Sequence, residues 1–142
     1  MNVFIPAVLR SSYALCLLGA ASTHMWTLVT HGLYWDYGGA PVFTRIYWTS
    51  LTALDPLAVV LLFVRPRAGL LFTLVIIVSD VAHNTWLMSR SLAPDWSNWM
   101  YVSQVVFLIF VLLTISHAWK LGPAERKPNH SFNGDVAKAT HR

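Results

Sequence analysis

Four long apolar runs, separated by short segments rich in polar residues, proline and glycine, make up most of this chain. They cover approximately residues 11–33, 43–64, 68–88 and 98–119. Each run is close to the roughly 20 residues that an α-helix needs to cross about 30 Å of hydrocarbon. The pattern therefore predicts four membrane-spanning helices.

The segments between the runs carry the residues that end helices. They contain, in chain order, Gly38, Gly39, Pro41, Pro66, Gly69, Pro94 and Asp95. After the fourth run the chain becomes polar, and its composition is typical of a disordered tail. We therefore expect one transmembrane domain over residues 1–121 and a cytoplasmic tail over residues 122–142.

Composition supports a membrane protein rather than a soluble domain. Of the 142 residues, 56% are hydrophobic and only 11% are charged, which is well below the charge of an ordinary soluble domain. The fold class that follows is an all-α, multi-pass bundle of four transmembrane helices, with the lipid bilayer as its first partner.

The net charge of +4 is explained by membrane topology and not by nucleic-acid binding. Basic residues gather before the first run, between the second and third, and after the fourth: Arg10, Arg65, Arg67 and Lys120. The other two connections each hold one acidic and one basic residue, which cancel. By the positive-inside rule both termini are expected in the cytoplasm. The short loops favour a bacterial inner membrane, and a eukaryotic chain of this kind would be expected in the endoplasmic reticulum.

Ionisable residues inside the runs are the best indication of a site. Asp55, Asp80 and His83 interrupt the second and third runs, and His24 and His31 interrupt the first. A charge at membrane depth costs at least a few kcal/mol, so such residues usually face the bundle interior and have a function.

Helical spacing brings these residues together. Asp80, His83 and Asn84 share one helix face, since they are three and four residues apart. Asp55 falls near the middle of the second run, with Thr52 one turn before it on the same side. The expected topology places the polar groups in the outer half of the bundle. The predicted ligand-binding set is His24, His31, Asp55, Asp80, His83, Asn84 and Gln104.

Structural roles are open for four of these residues. His31 adjoins the aromatic residues Tyr34, Trp35 and Tyr37, as in an interfacial belt. Asp80 and His83 could form a polar pair that joins helices. Asp55 precedes Pro56, so it could cap a restarted helix segment.

Two kinds of chemistry fit the set. A carboxylate beside an imidazole can exchange a proton, which makes Asp80, His83, His24 and His31 the candidate catalytic residues. A carboxylate can also pair with a cationic amine held by aromatic rings. No two-histidine zinc motif occurs, so no metal and no resident cofactor are expected. Haem bound between His24 and His83 is the minor alternative.

From Trp48 onward, over about 90 residues, the chain resembles the emopamil-binding, or EXPERA, family, which includes sterol isomerase and the sigma-2 receptor. The resemblance is carried by Asp55-Pro56-Leu57 through Phe63-Val64-Arg65, by the run from Leu74 to Val78-Ser79-Asp80-Val81, and by the span from Trp99 to Lys120. Gln104 falls near the position of a pocket asparagine in the family isomerase.

The chain also departs from the isomerase pattern. The isomerase has a first-span His-x-x-x-Glu-Gly motif, where this chain has Thr27 and His31 before Gly32. The second catalytic glutamate would fall near Tyr47, so it too is missing. The resemblance thus implies the fold and a pocket for a hydrophobic ligand.

Three functions are open at this point. The favoured one is binding of a hydrophobic sterol-, isoprenoid- or amine-like molecule in an intramembrane polar pocket, where Asp80 is the charge partner and His83 orients it. The second is an isomerase, or a related lipid-modifying enzyme, that moves a proton between a histidine and Asp80. The third is a small accessory subunit of a membrane complex. The sequence leaves open a homo-oligomer or another membrane partner.

Overall fold

The computed structural model describes residues 4–120, and these form four α-helices. Helix α1 covers Phe4–His31, α2 Val42–Val64, α3 Pro66–Ser89 and α4 Trp99–Lys120. The predicted number and order of helices are confirmed. The predicted tail, 122–142, lies outside the described residues.

Helix α1 differs most from its predicted bounds. It begins at Phe4 rather than at residue 11, so Arg10 lies within the helix and not before it. It ends at His31, because Gly32 has a φ of +83°, a left-handed conformation that glycine adopts at little cost. The last two residues of the predicted span, Gly32 and Leu33, therefore belong to the connection.

The connection between α2 and α3 is a single residue, Arg65. Pro66 then occupies the first turn of α3, where its missing N–H would have had no partner in any case. Gly69, one turn later, lies directly against the backbone of Leu61 and Leu62. The absence of a side chain at Gly69 lets the two helices approach closely.

The four helices form a closed ring in which each contacts its neighbours in sequence and α4 contacts α1. Neighbouring helices are antiparallel, since Trp48 bonds to Asn84 near one end of the α2–α3 pair and Leu62 meets Gly69 near the other. The start of α1, the α2–α3 turn and the end of α4 thus lie at one end of the bundle. The two longer connections lie at the other end.

Three of the helices, α2, α3 and α4, are long and apolar enough to cross a membrane. Their outward-facing side chains include Val60, Val75 and Leu113, each more than half exposed in the isolated chain. Helix α1 has 28 residues and carries several polar residues between Ser22 and His31.

Candidate functional site: a polar network inside the bundle

Asn84 is the centre of a hydrogen-bond network that joins three helices. Its Nδ2 donates to Asp80 Oδ1 (3.1 Å) on α3 and to Gln104 Oε1 (2.8 Å) on α4. Its Oδ1 accepts from the indole Nε1 of Trp48 (3.1 Å) on α2. The carboxamide therefore uses both of its donor hydrogens and its acceptor, so its orientation is fixed.

Both carboxylates predicted from the sequence are buried. Asp55 is 2% exposed and Asp80 is 5% exposed. The Asp80 carboxylate is held by Asn84, whereas the sequence suggested that His83 would orient it. Helix α2 continues through Pro56 without a break, so Asp55 does not cap a restarted segment as the sequence also suggested.

The two carboxylates lie close enough to act on each other electrostatically. The Tyr47 side chain lies within electrostatic range of both, and its hydroxyl shares a hydrogen bond with Ser79 (2.9 Å). Among the described residues, neither aspartate forms an ion pair with a basic side chain. Two buried acidic groups without a counter-charge are costly in a bilayer and favour a positively charged ligand.

His83 lies in a cluster of aromatic rings. Its ring centroid is 4.7 Å from that of Tyr47 and 5.8 Å from that of Trp86, with Phe43 at 5.5 Å and Trp48 at 6.2 Å. Its Nε2 is buried and has no hydrogen-bond partner. Aromatic rings around a site provide faces that attract a ligand cation.

A cavity of about 460 Å³ lies beside this cluster, between the α1–α2 connection and the end of α3. Its lining includes Tyr37, Trp48, Trp86 and Arg90, and the Arg90 guanidinium lies 4.7 Å from the ring centre of Trp86. Because Trp48 also donates to Asn84, it connects the cavity with the polar network. A second cavity, of about 490 Å³, lies between Cys16 of α1 and α4 and is mainly apolar.

Within the described residues, the two histidines of the first run make no hydrogen bond to the network. His24 is half-buried, and within residues 4–120 it has no hydrogen bond to the other members of the predicted set. His31 is exposed at the end of α1, where it shares a hydrogen bond with Thr30 (2.7 Å) and stacks on Trp35 at 4.3 Å. The structure thus brings together Asp80, Asn84 and Gln104, with His83 and Asp55 nearby.

Trp48 and Tyr47 belong to the site, although the sequence reasoning did not include them. Each is one or two turns before Thr52 and Asp55 on α2. The helical repeat alone could have placed Trp48 on the face of Asp55, since seven residues make two turns. An aromatic residue in a membrane helix is usually lipid-facing, so nothing in the sequence indicated that Trp48 hydrogen-bonds to Asn84.

Metal binding by conventional side chains is not indicated. Within the part of the chain that the structure describes, no three His, Cys, Asp or Glu side chains are grouped so that they could hold a metal ion. Comparison with known proteins adds no assignment: no family model, no curated protein and no solved structure matches this chain.

Proposed function

We propose that this chain is an integral membrane protein that binds a hydrophobic molecule carrying a cationic amine. The amine pairs with Asp80, and the apolar part of the ligand lies among the aromatic rings and in the neighbouring cavity. The observation that carries the proposal is the buried Asp80 carboxylate. It accepts a hydrogen bond from Asn84 and forms no ion pair with a basic side chain among the described residues.

Several features support this assignment. The cavity of about 460 Å³ is of the size that small-molecule sites have. Trp48 lines the cavity and bonds to the network, so a ligand there is one side chain away from Asn84. The resemblance to the EXPERA family, which implies a hydrophobic-ligand pocket, agrees with the same function.

Binding is favoured over catalysis by the position of the histidines. A proton relay needs an imidazole within hydrogen-bond reach of Asp80. No histidine among the described residues makes that bond, and the one side chain that does is Asn84, which cannot transfer a proton at neutral pH. This geometry supports proposing ligand binding rather than catalysis.

In this proposal α1 also crosses the membrane, and both termini are cytoplasmic. Arg10, Arg65 and Arg67 all lie at the end of the bundle that holds the α2–α3 turn. A cluster of basic residues at one end is the pattern of cytoplasmic loops. The cavity of about 460 Å³ that Tyr37, Trp48 and Trp86 line then opens on the opposite side of the membrane.

Binding of N,N-dimethyldodecylamine to the full chain in lipid nanodiscs tests the proposal, with empty nanodiscs subtracted. We expect Asp80→Asn to weaken binding about tenfold or more, since loss of one close charge pair is worth at least about 1.4 kcal/mol. Uncharged dodecan-1-ol should show no such difference between the two proteins, because it brings no charge to Asp80.

Asp95→Asn is the matched control, since Asp95 is an exposed carboxylate in the α3–α4 connection. It should bind the amine like the unaltered protein, and all variants should elute as folded protein in gel filtration. Unchanged amine binding in folded Asp80→Asn would refute the assignment. Loss of a co-purifying protein in that variant would instead support the accessory-subunit function.

A further inference from the structure

One turn of α2 carries buried oxygen atoms without hydrogen-bond donors. Asp55 Oδ2 and Thr52 Oγ1 are both buried and unpartnered. The two residues are three apart on a continuous helix, so they lie on the same face with their Cβ atoms about 5–6 Å apart. Most buried polar side-chain atoms find a partner, so two adjacent exceptions need an explanation.

The threonines of the bundle differ in whether their side-chain hydroxyls have hydrogen-bond partners. Thr85 donates to the Val81 carbonyl (2.6 Å), and Thr114 donates to the Phe110 carbonyl (2.6 Å). These bonds, to the residue four positions earlier, are the usual arrangement for a helix threonine. Thr52 makes no such bond, and neither do Thr44 and Thr73. Of these three, Thr52 is the one that lies one turn before Asp55 on the same helix.

Pro56 adds a third oxygen at the same level. Proline has no backbone N–H, so the carbonyl four residues earlier lacks its normal donor. That residue is again Thr52. Its backbone oxygen, its hydroxyl and the Asp55 carboxylate thus all belong to one turn of α2.

Charge favours a cation at this position. Asp55 is 2% exposed and has no basic partner among the described residues. The Asp80 carboxylate lies within electrostatic range and adds to the negative potential. Neither of the two cavities described above is lined by Thr52 or Asp55, so this position is distinct from both.

From these observations we propose that the turn Thr52–Pro56 is a binding site for a monovalent metal cation, with sodium as the best fit. The ligands are the Thr52 carbonyl oxygen, the Thr52 hydroxyl and the Asp55 carboxylate. In transporters, backbone carbonyls of unwound membrane helices coordinate sodium. Here proline leaves a carbonyl without its usual donor inside a continuous helix. The set contains one acidic side chain, so it is distinct from the His, Cys, Asp and Glu clusters considered above.

The sodium site is separate from the amine site of the proposed function. It uses Asp55, whereas the amine pairs with Asp80, and its test requires no amine. Sodium binding would persist if Asp80 bound no ligand, and amine binding would persist if Thr52–Pro56 bound no ion. Each proposal can therefore fail by itself.

The experiment measures binding of radioactive sodium to the full chain in nanodiscs, with choline chloride keeping the ionic strength constant. We expect saturable binding and a higher thermal unfolding temperature in sodium chloride than in choline chloride. Asp55→Asn and Thr52→Val should each weaken sodium binding about tenfold or more, since each removes a ligand. The sodium-dependent rise in unfolding temperature should disappear in both.

Pro56→Ala separates loss of the ion from loss of the fold. Alanine restores the N–H that pairs with the Thr52 carbonyl and favours the helix, so this variant should unfold at a higher temperature in choline chloride. It should nevertheless bind sodium at least several-fold more weakly. Thr85→Val is the matched control, because it removes a membrane hydroxyl that already has partners.

Three results would overturn the proposal, two of them in the unaltered protein and the site variants and the third in the control. One is sodium binding, or sodium stabilisation, that is equal in the unaltered protein, Asp55→Asn and Pro56→Ala. The second is stability that depends on pH but not on sodium, which would mean that Asp55 holds only a proton. Loss of sodium binding in Thr85→Val to the same extent would likewise show that the effect is not local to Thr52–Pro56.

Discussion

Asn84 is the residue on which the polar network depends. Asn84 forms a hydrogen bond with each of Trp48, Asp80 and Gln104, so its removal leaves polar groups on three helices without this partner. Interhelical hydrogen bonds in membranes average about 0.6 kcal/mol each, with a maximum near 1.7 kcal/mol. Because one carboxamide makes all three hydrogen bonds, replacing Asn84 removes the three contributions to the free energy of unfolding together.

We predict that Asn84→Leu lowers the free energy of unfolding by about 2 kcal/mol, from three lost bonds of the average membrane strength and the cost of unpaired groups. Gln104→Leu should cost less, about 1 kcal/mol, because it removes one of these bonds. Unfolding by sodium dodecyl sulfate, followed by far-ultraviolet circular dichroism, measures both values.

Ser103→Ala is the control for this series, since Ser103 is exposed and donates only to the Met100 carbonyl of its own helix. It should change the free energy of unfolding by less than about 0.5 kcal/mol. Equal stability of Asn84→Leu and Ser103→Ala would mean that the network does not hold the helices together.

At the residue scale, the sequence could predict which polar groups of α3 and α4 meet. Asp80 and Asn84 are one turn apart on one helix, and the antiparallel neighbour brings Gln104 to the same depth. The contact of Trp48 could not be predicted, because it depends on the rotation of α2 about its axis. The same limit applies to His24, because the rotation of α1 about its axis depends on its packing against α2 and α4.

At the element scale, apolar runs define helices well where proline and glycine bound them. The bounds of α2, α3 and α4 were predicted to within two residues for this reason. The start of α1 was wrong because Arg10 was taken as a flanking charge. A long basic side chain can extend from within a helix toward the membrane surface, so a charge need not end the helix.

The close approach of α2 and α3 at Gly69 gives a prediction for one pair of elements. A methyl group at Gly69 would overlap the backbone of Leu61 and Leu62, which cannot move aside as a side chain can. We expect Gly69→Ala to destabilise the bundle by about 1–3 kcal/mol, the usual cost of overpacking. The free energy of unfolding in sodium dodecyl sulfate is again the measurement.

Gly19→Ala is the matched control, because a methyl at Gly19 has no atom within 4 Å. It should leave the bundle unchanged or stabilise it by up to about 1 kcal/mol, the helix preference of alanine over glycine. A Gly69→Ala protein as stable as Gly19→Ala would show that the two helices do not approach so closely at their turn.

At the scale of the whole molecule, the ring of four antiparallel helices follows from short connections and from the length of the runs. What composition cannot decide is whether α1 spans the bilayer. Its second half carries several polar residues, yet the helix contacts both α2 and α4, and the Tyr13 hydroxyl shares a hydrogen bond with Thr114 of α4 (2.6 Å). This contact inside the ring favours a fourth span over a helix on the membrane surface.

Labelling of single cysteines decides the topology. In a Cys16→Ala background, which removes the one native cysteine, we substitute Ala7, Ala68 and Ala93 individually by cysteine. Ala93 lies in the α3–α4 connection, whereas Ala7 and Ala68 lie at the opposite end of the bundle. A maleimide that cannot cross membranes, added to intact cells, should label Ala93→Cys alone. It should label Ala7→Cys and Ala68→Cys only after the membrane is opened.

Labelling of Ala7→Cys in intact cells, with Ala68→Cys still protected, would leave three spans and place the start of α1 outside. Because Arg10 would then lie on the side opposite to Arg65 and Arg67, that outcome would also remove the charge argument for a cytoplasmic N-terminus.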